Sequence, residues 1–216
     1  MARKTSEYLV WAVCLVGLVG LPFFTMSTEQ VSWSTFAESY CISLTTMFAS
    51  NNGFAGNTFD IENVGNQSTE ITTWWVNLDQ PGTSDTVDIY WRSGTSVGFE
   101  DDPNGWTLLG SDSTVVSNGA DVPTPVTMPT FVIHSNEVFG FYVHSAGGLI
   151  LYSNGGPNTY SDSSLSITTY TGKGLPVFTG TTIEYRTWNG SVGYCEYGFF
   201  DDFESGNTSA WSNTVP

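Results

Sequence analysis

The chain has 216 residues, 15% of them aromatic, with 21 acidic against 5 basic side chains and a formal net charge of −16. That length suits one domain with appendages, and the aromatic content argues against disorder through the middle. Lysine and arginine are what displace counterions from phosphates, so nucleic-acid binding is excluded and anionic membrane surfaces are disfavoured; neutral sugars, cations and basic partners remain.

Residues 1–27 open with Arg3 and Lys4 and continue in an apolar run from Tyr8 to Met26. This is the basic start and hydrophobic stretch of a signal peptide, or of an N-terminal anchor helix where it stays uncleaved. Thr25-Met26-Ser27 stands where an Ala-x-Ala site would be, and Trp11-Ala12-Val13 before Cys14 is a poor lipoprotein signal. Either outcome exports the domain to the cell surface or the medium, with the membrane touched only through this segment. Residues 28–40 read as a linker, and 196–216 as a polar, acidic tail.

Between residues 41 and 195 no helical period survives. Short β-branched and aromatic runs alternate with Gly, Asn, Asp, Ser and Pro clusters. The expected strands, in order, are Cys41–Ala49, Asn57–Val64, Glu70–Leu78, Thr86–Arg92, Trp106–Leu109, Ser113–Ser117, Val126–His134, Val138–His144, Leu149–Ser153, Leu165–Tyr170, Thr181–Arg186 and Gly190–Cys195. In the fourth, Val87, Ile89 and Trp91 point one way and Asp88, Tyr90 and Arg92 the other, the mark of an antiparallel strand with one wet face. Thr73-Trp74-Trp75-Val76 and Phe139-Gly140-Phe141-Tyr142-Val143 are apolar on both faces, which places them centrally or under a loop. Turn chemistry is dense, as at Asn51-Asn52-Gly53, Gln80-Pro81-Gly82, Asp102-Pro103-Asn104-Gly105 and Asn154-Gly155-Gly156. The fold class expected is all-β, an antiparallel two-sheet β-sandwich, jelly-roll-like or immunoglobulin-like, behind the N-terminal hydrophobic segment.

Outside that segment two cysteines remain, Cys41 before the first strand and Cys195 at the end of the last. In an oxidising compartment such a pair predicts a disulfide joining the two ends of the domain.

The stretch from Phe48-Ala49-Ser50-Asn51-Asn52-Gly53 through Gly56-Asn57-Thr58-Phe59-Asp60-Ile61, with Val87-Asp88-Ile89-Tyr90, Val97-Gly98-Phe99-Glu100, Gly105-Trp106-Thr107-Leu108-Leu109-Gly110 and Gly140-Phe141-Tyr142-Val143, resembles an uncharacterised β-sandwich domain of secreted and surface proteins of environmental bacteria. The tail Phe199-Phe200-Asp201-Asp202-Phe203-Glu204-Ser205-Gly206-Asn207-Thr208-Ser209-Ala210-Trp211-Ser212 is similar to a short C-terminal segment of other exported bacterial proteins, with Asp202 where those usually carry Gly. The resemblance implies export and a bacterial source. It brings no activity and no catalytic residue set.

The residues themselves show no nucleophile elbow, His-Glu-x-x-His or phosphate-cradling glycine loop. If Ser135-Asn136 is a hairpin turn, His134 and His144 lie seven residues apart along the ladder, roughly 23 Å, too far to share a metal. The acids in Glu100-Asp101-Asp102 and around Asp201 sit in turn or tail contexts rather than alternating along one strand, which argues against a glycan-active hydrolase. No cofactor is expected apart from a structural calcium, for which Glu100, Asp101, Asp102 and Asn104 offer hard oxygens within five residues. A glycan site is expected from Tyr90 with Asp88 and Arg92, from Trp75 on the face opposite Trp74, and from Trp106. The functional expectation is a non-catalytic surface or matrix protein whose partners are other copies of itself or other surface proteins, with a carbohydrate-binding, adhesin-like module as the alternative.

Overall fold

The computed structural model describes residues 40–197; the signal or anchor segment, the linker up to Ser39 and the tail beyond Tyr197 lie outside the described residues. Fifteen strands follow one another: β1 Tyr40–Thr45, β2 Asn52–Phe54, β3 Gly56–Asn63, β4 Ser68–Asn77, β5 Ser84–Ser93, β6 Thr107–Val116, β7 Pro123–Val126, β8 Phe131–Ile133, β9 Val138–Ser145, β10 Ile150–Asn154, β11 Asn158–Ser161, β12 Leu165–Lys173, β13 Thr182–Glu184, β14 Arg186–Trp188 and β15 Gly190–Tyr197. A single 3-10 turn spans Pro103–Gly105. The chain is all-β, with antiparallel ladders between all its named strands.

Five strands form one sheet in the order β1-β15-β4-β7, with β8 also on β4. Seven form another, β11-β12-β3-β9-β5-β6, with β13 also on β12. A three-stranded sheet, β14-β10-β2, completes the set. One apolar core joins them. Leu44, Ile71, Trp74, Val76, Val192 and Tyr194 come from the five-stranded sheet, Phe59, Ile61, Val87, Ile89, Phe141, Val143 and Ile167 from the seven-stranded sheet, and Ile150, Tyr152 and Trp188 from the third. Within it the Trp188 ring stacks on Phe59 at 4.1 Å and 9°, and Trp74 tilts against Phe141 at 5.2 Å. Each large ring so buried contributes on the order of 2 kcal/mol or more from water exclusion. The result is sandwich-like, with side chains of alternating strands meeting between the layers.

Cys41 and Cys195 are bonded and face each other across the β1–β15 ladder, with Cα atoms 4.0 Å apart and a separation of 154 positions in sequence. Thr46 donates its N–H to Gly190, so even-numbered residues of β1 turn their backbone toward β15 and odd-numbered ones turn it away. The close Cα approach agrees, since the Cys41–Cys195 pair then lacks direct backbone bonds, where antiparallel strands lie closest.

Several expected elements are corrected. Trp106–Leu109 and Ser113–Ser117 belong to one strand, β6, whose partner β5 carries register shifts at Asp85/Val87 and Ile89/Tyr90. Val126–His134 breaks into β7 and β8 around Met128-Pro129, because proline cannot donate to a ladder. The turn at Ser135-Asn136 exists, with Glu137 donating its N–H to His134 and Asn136 at φ 64°, but it joins no hairpin: β8 pairs with β4 and β9 with β3 and β5. His144 therefore lies opposite Asp88 and Gly56 rather than Thr127. Thr181–Arg186 is interrupted at Tyr185, where φ is 60° and the chain leaves β13 for β14. The short strand β2 overlaps the stretch Asn51-Asn52-Gly53 read from the sequence as a turn, and β11 falls between two expected strands.

Candidate functional site

The candidate residues fall on the outward faces of the two large sheets, and the two faces differ. On the seven-stranded sheet Asp88, Tyr90 and Arg92 of β5 do turn outward, beside His144, Tyr142 and Gly140 of β9. They do not meet water freely. Two straps cross them, residues 94–106 between β5 and β6 and residues 174–181 between β12 and β13. A Cβ on Gly140 would lie 2.7 Å from the Ser96 backbone nitrogen, so only glycine lets the first strap close down there. Ser96 donates its N–H to the buried Asp60 carboxylate of β3 at 2.7 Å, which fixes the start of that strap. The straps bring Trp106 and Phe178 onto Tyr142 as a second apolar cluster, with Tyr90 packed at its side. Phe178 meets Tyr90 at 5.0 Å and Tyr142 at 5.3 Å, both edge-on, and Trp106 meets Tyr142 at 6.1 Å.

Burial explains the protonation behaviour of this face. It pushes the Tyr142 and Tyr90 hydroxyls up, with Asp88 adding to the effect on both. His144, 5% exposed, is held below its ordinary value chiefly by desolvation, although the Asp88 carboxylate lies 3.7 Å from Nδ1 and pulls the other way. Desolvation prevails because the buried ring loses more by leaving water than the carboxylate at that distance returns.

Lys173, which no sequence pattern singled out, fastens both straps. Its side chain is fully buried, and Nζ donates to the Phe178 and Gly180 carbonyls at 3.1 and 3.0 Å, to Thr182 Oγ1 at 2.6 Å and to Asp101 Oδ1 at 2.5 Å. The Lys173 hydrogen bond, followed by that from Thr182, holds the Asp101 carboxyl below the usual carboxylate range. Two acids of this turn are thereby engaged. Asp101 serves the lysine, and Asp102 Oδ1 accepts the Asn104 N–H to cap the 3-10 turn. Of the four expected calcium ligands, Asp101 and Asp102 thus accept hydrogen bonds from within the fold, and among the described residues no cluster of three or more His, Cys, Asp or Glu is placed to hold a metal.

The expected glycan residues separate. Trp106 is 9% exposed, its Nε1 donating to the Phe99 carbonyl at 2.8 Å, and the Arg92 guanidinium lies 3.3 Å over the Phe99 ring centroid. The wet face expected of β5 is therefore a covered one. Trp75 lies on the other large sheet, outward where Trp74 is inward, and partly exposed. Its ring lies across Gly193 of β15: a Cβ there would come within 3.1 Å of the indole and 2.0 Å of Thr73 Oγ1. Shallow hollows of about 210 Å³ flank the ring, one bordered by Ser43, Thr45 and Ser191, the other by Thr72, Thr73 and Thr127. Thr45 and Ser191 hydroxyls bond each other at 2.8 Å.

The flanks of the sandwich differ too. Pro123 and Pro125 lie on β7, opposite Asn77 and Trp75. Since they have no N–H, Thr124 and Val126 must bond β4, and the outer edge of β7 lacks two donors. Across from β7 the edge strand β6 is bulged against β5. On the opposite flank β1 has no second neighbour among the described residues, and the Tyr160 hydroxyl of the short edge strand β11 reaches Met47 just past β1 at 3.4 Å.

No family model matches the chain, and no curated protein matches it. A solved structure of infectious bursal disease virus, Gx strain, is similar at 15% identity over 88% of this chain and 53% of that one, with a TM-score of 0.23. The chain thus spans about half the length of that structure.

Proposed function

We propose that this is a non-catalytic, exported module, a two-sheet sandwich of the jelly-roll-like or immunoglobulin-like kind, that works by joining other chains at the open edge of β1. The observation that carries this reading is the inequality of the flanks. One carries prolines and bulges, devices that prevent strand addition; β1 carries neither. Its outward N–H and C=O groups at Cys41, Ser43 and Thr45 form a template for an added strand, and another copy of the chain is a partner always present. A self-assembling surface or matrix structure follows. The cross-strand disulfide supports an oxidising setting outside the cytosol.

The test is light scattering over a concentration series with wild type and Ser43→Pro. The substitution removes an outward N–H and leaves the β1–β15 bonds in place. Wild type should grow with concentration and the variant remain monomeric at unchanged melting temperature. A wild type that stays monomeric at high concentration removes the reading.

A second reading rests on Trp75. An indole passing over glycine, between hollows that carry both hydroxyls and apolar side chains, suits the face of a pyranose ring, with Ser43, Thr45 and Thr73 reaching its hydroxyls. A glycan array read with wild type and Trp75→Ala tests it: binding that the variant loses supports the carbohydrate reading, and no binding by folded wild type ends it.

A further inference from the structure

A separate groove, independent of the β1 edge, lies beside β12 and β13. It has a volume of about 220 Å³ and is lined by Tyr170, Tyr185, Val97, Pro157, Glu100 and Glu184. Both tyrosines reach it from irregular backbone. Tyr170 occupies the position where the β12–β3 register shifts between Thr169 and Thr171, and a bulge re-aims the side chain it carries. Tyr185 stands at φ 60°, a conformation disfavoured for a bulky residue, and is nevertheless 58% exposed. Nothing in the core requires an aromatic there.

The charge is as uneven as the backbone. Neither Glu100 nor Glu184 takes part in an ion pair among the described residues. The neighbouring cations are engaged elsewhere. Lys173 is fully buried on Asp101 and the strap carbonyls, and Arg92 is stacked on Phe99. Arg186 donates Nη1 to the Glu184 and Tyr185 carbonyls, and its stem lies against Gly172, on the opposite face of β12 from Thr171, which borders the groove.

We propose that this groove receives the side chain of an arginine or lysine from a basic partner protein. The alkyl stem lies along Val97 and Pro157, the cationic head meets the tyrosine rings, and Glu100 and Glu184 balance its charge. A flat ring face and a nearby carboxylate both favour a cation and gain nothing from a neutral group of the same shape. The partner is a different chain: of five basic residues the three in the described part are engaged as above, and Arg3 and Lys4 belong to the segment read from the sequence as a signal or anchor. The long-range field of a protein at −16 draws such a partner in and makes its arrival dependent on ionic strength.

The experiment uses the full chain and a (Gly-Arg)4 peptide, with its citrulline counterpart as the neutral isostere, titrated calorimetrically near physiological salt. The arginine peptide should bind and the citrulline peptide should not. Tyr185→Gly, which removes the ring and relaxes the backbone, should weaken binding by about tenfold with the melting temperature unchanged or raised. Glu184→Gln should weaken it by about as much, whereas Asp79→Asn, an equal loss of charge elsewhere on the surface, should change it less than about twofold. Ser43→Pro should leave it intact. Equal binding of the citrulline peptide, equal losses in Glu184→Gln and Asp79→Asn, or no binding by wild type would each overturn the proposal.

Discussion

The two large sheets use tryptophan in opposite ways. On the five-stranded sheet Trp75 lies over Gly193, and the hollows beside it mix hydroxyls with apolar residues such as Phe48 and Pro125. On the seven-stranded sheet Trp106 is brought in by a strap, capped by Phe178 and held by a hydrogen bond to Phe99. One ring is a surface that another molecule can use; the other has become part of the protein's own interior. The lesson is that outward alternation in a strand gives the direction of a side chain and not its exposure, which depends on chain contributed from elsewhere.

The largest expected effect comes from the bond that closes the open sheet. Replacing Cys41 and Cys195 by serine frees a loop of 154 residues and should cost up to about 5 kcal/mol in the chain-entropy view, read as a drop in denaturant midpoint that wild type reproduces under reductant. Next, Trp106→Ala should cost about 3–5 kcal/mol, the range for emptying a packed ring site, while Trp75→Ala should cost less than about 1 kcal/mol. Equal losses by thermal denaturation would erase the contrast between the faces. Lys173→Met should then cost about 1–3 kcal/mol by stranding the carbonyls of Phe178 and Gly180, and should release the straps to hydrogen exchange before the core. If the straps stay protected, the lysine is not what fastens them.

The smallest effect is the pH response of the covered face. His144 titrates below its unfolded value of about 6.5, so the unfolded chain binds the proton first and stability falls as pH drops through that value, at no more than about 1.4 kcal/mol per pH unit. His144→Phe should flatten the melting temperature between about pH 7 and pH 5. Asp101, with its carboxyl held low by Lys173, contributes stability that is present above about pH 4 and is lost in more acid solution. Its loss should be smaller in Lys173→Met, where only the Thr182 hydrogen bond still holds the carboxyl low.

Much of the scaffold was legible because its signals are local. Val87 and Ile89 do enter the core and Trp91 packs against it, and the terminal placement of the two cysteines led to the observed bond. Phe141, Tyr142 and Val143 are buried on both faces, as a strand without polar alternation should be. What escaped depends on contacts between distant segments. The first strap showed only the turn Asp102-Pro103-Asn104-Gly105 and the second fell between two expected strands, so Tyr90, Asp88 and Arg92 looked free. Lys173 follows a bulge at Tyr170 that no alternation betrays, and its four acceptors come from two separate stretches of chain, Asp101 and residues 178–182. The groove at Tyr185 was out of reach for a similar reason: a left-handed tyrosine leaves no mark in composition, and its carboxylate neighbours Glu100 and Glu184 are 84 residues apart. Trp75 against Trp74 was half legible. The doublet announces opposite faces, and Gly193 across the ladder decides how flat the outer ring can lie.

The cross-linked ends of the fold also decide how it bears tension. Because β1 and β15 run antiparallel and are bonded at Cys41 and Cys195, the chain enters and leaves the sandwich at neighbouring points. A pull on the flanking segments is carried from one sulfur to the other, and the interior between them never feels it. Kept oxidised, the domain adds almost no length to a chain under load; reduced, it would pay out roughly 500 Å of extended polypeptide.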